Sequence, residues 1–272
     1  MTEPGATSKG YALITGAGQG IGRAIALELA LRGFGILATA RSQASLKEVV
    51  MECGALNGGR ATAIAVDLFE ADAMDRLVDA TRSLPEPLTA LVNNAGQAFW
   101  GCFEDVSMDD HRKLMRLNVE VPLELTHRLL PVLRVRPESY ILMVSSLTAY
   151  SAVATLATYS GSKAFLLRFG RSLRLELKDT GVNVCCVCPG TVLTGFTQRA
   201  NMQAMDDLAK RFGKPPGPIA RAAVDAMLAG RAEVVPGFLD RTTSWFMKLF
   251  PDALVERVAS NIYLKRLPKR ET

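Results

Sequence analysis

The segment YALITGAGQGIGRAIALELA, Tyr11 to Ala30, joins a short apolar run to an amphipathic stretch through a turn that is half glycine. Tyr11 to Thr15 has the length and apolar continuity of a strand covered on both faces, and Ile21 to Arg32 has helical spacing. In the turn itself, Thr15 to Gly22, the residues Gly16, Gly18, Gln19, Gly20, Ile21 and Gly22 leave the backbone uncovered. A pyrophosphate could approach it closely and meet free amides and the positive end of the helix. Glycine spacing alone also describes an ordinary turn. Its place directly after a first strand is what favours a phosphate cradle.

The same alternation continues along the chain. Gly35 to Ala40, Ala61 to Asp67, Leu88 to Asn93, Tyr140 to Ser146 and Val182 to Cys188 read as further strands, and Ser42 to Cys53 and Glu70 to Ser83 as helices between them. Strands that are apolar on both sides need helices on both faces, so the expected fold is α/β: a Rossmann-like, doubly wound parallel sheet. The 272 residues suit one domain, 1–272, with a flexible N-terminus at 1–9. Pro85 and Pro87 interrupt the chain before the fourth strand, and Pro215, Pro216, Gly217 and Pro218 break it before a late helix, Ile219 to Ala229. The polar, weakly periodic stretch before that break, 195–216, is the candidate lid over a substrate.

Composition narrows the classes of function. A net charge of +5, with basic residues scattered among acidic ones, argues against a nucleic-acid partner. Met1 to Lys9 lacks the apolar run of a secretory signal, so a cytoplasmic location is expected. Of five cysteines, Cys185, Cys186 and Cys188 share one apolar run, where neighbours point to opposite sheet faces, which suits small core residues rather than a disulfide framework. His111 and His127 lie on polar helical stretches and read as solvated, so no metal site is expected.

The ends of the strands carry the chemistry. After the second strand, Arg41 stands where a carboxylate would hold a ribose 2′-hydroxyl, and its planar fork suits a 2′-phosphate, which points to NADP(H) over NAD(H). Asp67 and Asn93-Asn94-Ala95-Gly96 lie at the ends of the third and fourth strands, where open α/β sheets bind ligands, though Asp67 could instead cap a helix near Glu70 and the asparagines could make a turn.

Tyr159 and Lys163 are four apart, which puts them on one face of a helix. An ammonium, together with the positive nicotinamide of an oxidised cofactor, would lower the phenol from its ordinary pKa of about 10 toward a working range. Ser146 precedes Tyr159 by 13 residues and could polarise a substrate oxygen beside it, with Ser145 as the structural alternative.

These motifs, in this order, resemble the classical short-chain dehydrogenase/reductase family from about Tyr11 to Thr194. The matching pieces are Thr15 to Gly22, Asn93 to Gly96, Asn118, Ser146, Tyr159 with Lys163, and Pro189-Gly190 with Thr194. The resemblance implies that Tyr159 is the acid/base, that Lys163 lowers its pKa and binds the nicotinamide ribose, and that Ser146 holds the substrate oxygen. It further implies that Asn118 holds a water relaying protons to Lys163. Asp67 would lie beside the adenine, with Asn94, Ala95 and Gly96 also near the cofactor. Pro189, Gly190, Val192 and Thr194 would contact the carboxamide. Gln19 departs from NADP-dependent members, which often carry a basic residue there. A homodimer or homotetramer is expected.

The C-terminal extension, 240–272, reads as two amphipathic helices around Pro251, with Trp245, Phe246, Leu249 and Phe250 before it and Leu254, Val255, Val258 and Ile262 after it. Packing against the chain's own sheet or a sister subunit is the expectation for them. An apolar cover for a lipid-like substrate and peripheral membrane contact are the functional alternatives. The reading as a whole is an NADP(H)-dependent oxidoreductase interconverting a small-molecule carbonyl and alcohol. A non-catalytic NADP(H)-binding sensor is the alternative, with no use for a proton-transfer group.

Overall fold

The computed structural model describes residues 9–196, 200 and 202–267. The expected flexible N-terminus apart from Lys9, part of the expected lid and the last five residues of the C-terminal extension lie outside the described residues.

Seven strands form one parallel sheet: β1 (Tyr11–Thr15), β2 (Gly35–Ala40), β3 (Ala61–Ala65), β4 (Leu88–Asn93), β5 (Ser139–Val144), β6 (Val182–Val187) and β7 (Glu233–Val234). Their spatial order is β3-β2-β1-β4-β5-β6-β7, and every pairing is parallel. This is the Rossmann-like, doubly wound α/β fold. The order reverses between β1 and β4, so loops leaving these two strands part and open a crevice at the sheet's carboxyl edge.

The first crossover is α1 (Gly20–Leu31), followed by α2 (Gln43–Asn57) and α3 (Ala73–Arg82). Beyond β4 come α4 (Met108–Met115), a π-helical turn (Arg116–Glu120) and α5 (Val121–Arg134). The long α6 (Ala157–Glu176) leads to β6, and α7 (Asp206–Phe212) and α8 (Pro216–Leu228) precede β7. Two helices close the chain, α9 (Phe238–Leu249) and α10 (Asp252–Leu264). Among the described residues no helix is long and apolar enough to cross a membrane.

Strands covered on both sides divide their side chains between two cores. Ile14, Ile36, Val92 and Cys185 join the core beneath α1 and α8, whereas Leu13, Leu91, Ile141 and Cys186 join the one beneath α5 and α6. The period of two in β6 thus sends Cys185 and Cys186 to opposite faces. All five cysteines are free thiols. Tyr11 pairs with Gly35 across β1 and β2, and a Cβ on Gly35 would come within 2.6 Å of the Tyr11 ring, so glycine is required for that close approach.

Several boundaries differ from the sequence reading. The helix expected from Glu70 begins at Ala73, because Asp67 Oδ1 accepts from Phe69 N (3.1 Å) and successive turns follow through Glu70. Asp67 therefore caps no helix. Pro216 and Pro218 do not precede the late helix but lie inside its first turn, where a missing N–H costs nothing. His111 is no solvated bystander: it is buried, with Nδ1 2.8 Å from Thr158 Oγ1, Nε2 3.2 Å from the Phe103 carbonyl, and its ring stacked on Phe103. Helical spacing placed it among polar neighbours, but α6 packs over exactly that edge of α4 and supplies its partner.

Candidate active site

A cleft of about 1220 Å³ occupies the crevice at the sheet reversal and runs out beneath α9 and α10. Its inner end is the glycine turn. Gly16 and Gly20 adopt left-handed backbone (φ +67° and +59°), which glycine alone takes without strain. A Cβ on Gly22 would collide with Asn94 Nδ2 and the Gly16 carbonyl, and one on Gly20 would sit 3.0 Å from Thr194 Cβ. Gln19 stands at the head of α1 in extended conformation and makes no side-chain cap bond, and Gly20, Ile21 and Gly22 of the first turn line the cleft. No acidic residue occupies the first turn of α1. Bare backbone, left-handed turns and an uncapped helix end suit a pyrophosphate.

Asn94 explains why the turn holds its shape. Its Nδ2 donates to the Thr15 carbonyl at 2.8 Å and to the Gly16 carbonyl at 3.2 Å, while Thr15 Oγ1 accepts from Asn94 N and Ala95 N at 3.0 Å each. The asparagine is a brace for the cradle, in line with its turn-making alternative, and Ala95 and Gly96 reach the cleft as backbone. A methyl on Gly22 would displace this brace. Gly22→Ala should lose nucleotide binding and cost about 1–3 kcal/mol of stability; retention of both in a binding titration and a thermal melt would show that the turn has slack.

Arg41 is exposed at the rim, and among the described residues it has no carboxylate partner. Ser42 beside it caps α2, accepting from Ser45 N at 3.3 Å. Asp67 lines the cleft two residues past the end of β3. On the other wall, Pro189, Gly190, Val192 and Thr194 line the cleft, and Thr194 folds back against Gly20.

Ser146, Tyr159 and Lys163 meet at the middle of the cleft. Ser146 Oγ accepts from Thr148 N at 3.2 Å, which leaves its own hydrogen for another acceptor. Ser145 takes the structural role: it is buried and donates to the Lys163 carbonyl at 2.7 Å. Lys163 is 4% exposed, its Nζ donates to the Val144 carbonyl at 3.0 Å, and it lies 5.8 Å from the centre of the Tyr159 ring. Phe196 packs against that ring in a tilted arrangement, 5.9 Å between centres.

Burial pushes the Tyr159 phenol up to about 12, with a hydrogen bond from Ser146 pulling the other way, and burial pushes Lys163 down to about 8. Within the chain alone, loss of hydration outweighs any help from the lysine.

Asn118 sits in the π turn, fully buried. Its Oδ1 accepts from Gln97 N (2.9 Å), and its Nδ2 donates to the Gln97 carbonyl (2.9 Å) and to Ser162 Oγ (3.0 Å). It therefore ties the strand β4 loop to α6 beside Lys163, and its side-chain hydrogens are spent on protein partners. A π turn widens the backbone ladder locally, a feature that recurs at functional sites.

Two groups that no local pattern announced also shape the site. Asp240 Oδ2 accepts from Gly190 N (3.2 Å) and pairs with Lys214 Nζ (2.7 Å), so α9 is tied to the Pro-Gly loop. Tyr150 Oη donates to Glu233 Oε1 (2.6 Å), which also accepts from Lys248 (2.9 Å), tying α9 to the loop after Ser146. Each joins residues tens of positions apart, out of reach of periodicity.

Residues 10–204 match the family model described as short chain dehydrogenase. A ketoacyl reductase, HetN, of a Nostoc species is 34% identical over 227 residues, 82% of this chain and 77% of that protein. Among solved structures, a 3-ketoacyl-(acyl-carrier-protein) reductase from Brucella melitensis complexed with NADH aligns at a TM-score of 0.75 with 26% identity, over 85% of this chain and 98% of that one. A short-chain dehydrogenase from Sphingobium yanoikuyae in complex with NADPH has the same fold, with a TM-score of 0.77 and 23% identity over 89% and 96% of the two chains. With the family model spanning most of the chain and a relative above 30% identity over most of both lengths, the chain belongs to the short-chain dehydrogenase/reductase family of NAD(P)-dependent oxidoreductases.

Proposed function

We propose that the chain interconverts a carbonyl and an alcohol with NADP(H), on an apolar or lipid-like small molecule. The observation that carries the reading is one cleft that holds the glycine cradle at one end, Ser146, Tyr159 and Lys163 at its middle, and the apolar side chains of α9 and α10 at the other. The nicotinamide supplies or takes up the hydride and, when oxidised, brings a positive charge that favours the phenolate. Gly16 to Gly22 bind the pyrophosphate, Asp67 lies at the adenine end, and Pro189, Gly190, Val192 and Thr194 hold the carboxamide.

Ser146 gives the substrate oxygen the one hydrogen that it otherwise gives to Tyr159. Tyr159 hands that oxygen a proton in reduction and takes it back in oxidation. Lys163 positions the nicotinamide ribose and feeds protons to the phenol, and Asn118 holds a water that links Lys163 to solvent. A pure cofactor sensor has no use for this proton-transfer set.

Arg41 selects the 2′-phosphate: its guanidinium is exposed at the rim next to the cradle, without a carboxylate partner among the described residues. Arg41→Asp should lower kcat/KM with NADPH by about 10- to 100-fold, the worth of a hydrogen bond to a charged group, and favour NADH. The test is an NADPH-oxidation screen over carbonyls of graded chain length, run with both cofactors on both proteins. Unchanged cofactor ratios would remove Arg41 from the reading, and absence of turnover on every carbonyl would remove the reductase assignment.

A cytoplasmic location goes with this reading, supported by five free thiols, four of them buried. Self-association as a dimer or tetramer also belongs to it, supported by Phe165, exposed on α6 and stacked on Phe169 at 5.7 Å.

A further inference from the structure

Helix α9 is turned inside out. Its buried residue is Ser244, while Phe238, Leu239, Trp245, Phe246 and Leu249 are exposed, Trp245 at 57% and Leu249 at 62%. The expectation that these side chains pack on the chain's own sheet fails for this face. On α10, Leu254, Val258 and Ile262 form a stripe at four-residue spacing that is exposed where it lines the mouth of the cleft. Exposed contiguous apolar surface of this kind marks an interaction site.

The face is continuous with the cleft. Phe246, Phe250, Leu254, Val258 and Ile262 are solvent-exposed and also line the cavity, so its mouth opens through the apolar face. A rim of cations flanks it. Arg241 precedes Trp245 by one turn, Arg257 adjoins Val258, and Lys265 follows Ile262 by one turn, all exposed and, among the described residues, without a carboxylate partner. The acidic residues of α10, Asp252 and Glu256, fall by helical spacing on the side away from the stripe.

We propose that the α9–α10 face docks on an anionic lipid surface, with the mouth of the cleft pressed against it. An aromatic and aliphatic face edged by arginine and lysine matches the headgroup boundary, where apolar side chains enter the acyl region and cations meet phosphates. A second copy of the chain fits less well. An isologous contact there would bring two faces rimmed by cations together and seal the mouth of the cavity. The inference concerns where the protein sits and is read without turnover, so it stands or falls apart from the reductase assignment.

Co-sedimentation with phosphatidylcholine vesicles, with and without phosphatidylglycerol, tests it. Binding should appear with the mixed vesicles, weaken with added salt and be weaker on phosphatidylcholine alone. Charge reversal in Arg257→Glu with Lys265→Glu should reduce partitioning by about fivefold or more for each cation. Trp245→Ser with Leu249→Ser should reduce it by about tenfold or more, and neither pair lines the catalytic end of the cleft. Circular dichroism and Tm establish that both variants fold. Absence of binding to either vesicle overturns the proposal, as does binding that both folded variants retain. A concentration-dependent dimer in sedimentation velocity, dissociated by the Trp245 and Leu249 changes without any vesicle binding, would assign the face to a second copy.

Discussion

Tyr159→Phe should lower kcat by about 10²- to 10⁴-fold, the range for removal of a positioned general acid, with nucleotide binding and Tm nearly unchanged. The substitution removes one oxygen and keeps the ring that packs against Phe196, so a loss of rate reports on proton transfer rather than on folding. The pH dependence follows from the direction of the shift. With its pKa raised to about 12 by burial in the chain alone, the phenol is protonated throughout the neutral range and is ready to donate. Carbonyl reduction should therefore vary little with pH near neutrality. Alcohol oxidation needs the phenolate, so its rate should climb about tenfold per pH unit below the pKa that the loaded enzyme shows. A phenylalanine variant that keeps more than about a tenth of the rate would remove Tyr159 from proton transfer.

Lys163→Met is expected to do two opposite things at once: reduce kcat by about 10²-fold or more and raise stability at pH 7. The lysine is buried, and burial lowers its pKa from 10.5 to about 8. Below pH 8 both folded and unfolded chains carry the charge, and the folded one bears the full cost of keeping it dry. As pH rises from 8 toward 10.5 the folded lysine is neutral first, and the cost fades. Methionine has similar bulk and no charge, so the variant should gain about 1–3 kcal/mol at pH 7, less about 1 kcal/mol for the Val144 carbonyl left without its donor. The gain should vanish as pH rises through that window. Melts across pH 6 to 11 measure it; a variant less stable than wild type at pH 7 would mean that the lysine is kept as a tie to Val144 rather than for chemistry.

The residues that the proposed chemistry uses are legible in the sequence, while their energetics are not. Tyr159, Lys163 and Ser146 were readable because i,i+4 spacing on a helix and the end of a strand are local geometry. The direction in which burial moves Tyr159 and Lys163 was not readable, because it depends on how completely water is removed, which is set by chain folded in from distant positions. His111 failed for the same reason: its own helix is polar, and only the packing of α6 buries it against Thr158.

By itself the sequence determined the alternation of strands and helices, the parallel sheet, the glycine cradle after β1 and the serine, tyrosine and lysine of the cleft. Each of these is fixed by side chains within a turn or two of one another, through steric freedom at glycine, apolar period and helical spacing. Only the tertiary structure decided that Asn94 braces the cradle, that Asp240 and Glu233 fasten α9 to the Pro-Gly and Ser146 loops, and that α9 and α10 leave apolar side chains exposed at the mouth of the cleft. Amphipathic spacing says that a helix has an apolar side. Which way that side faces depends on the surfaces the rest of the chain leaves uncovered, and here the rim of the cleft is one of them.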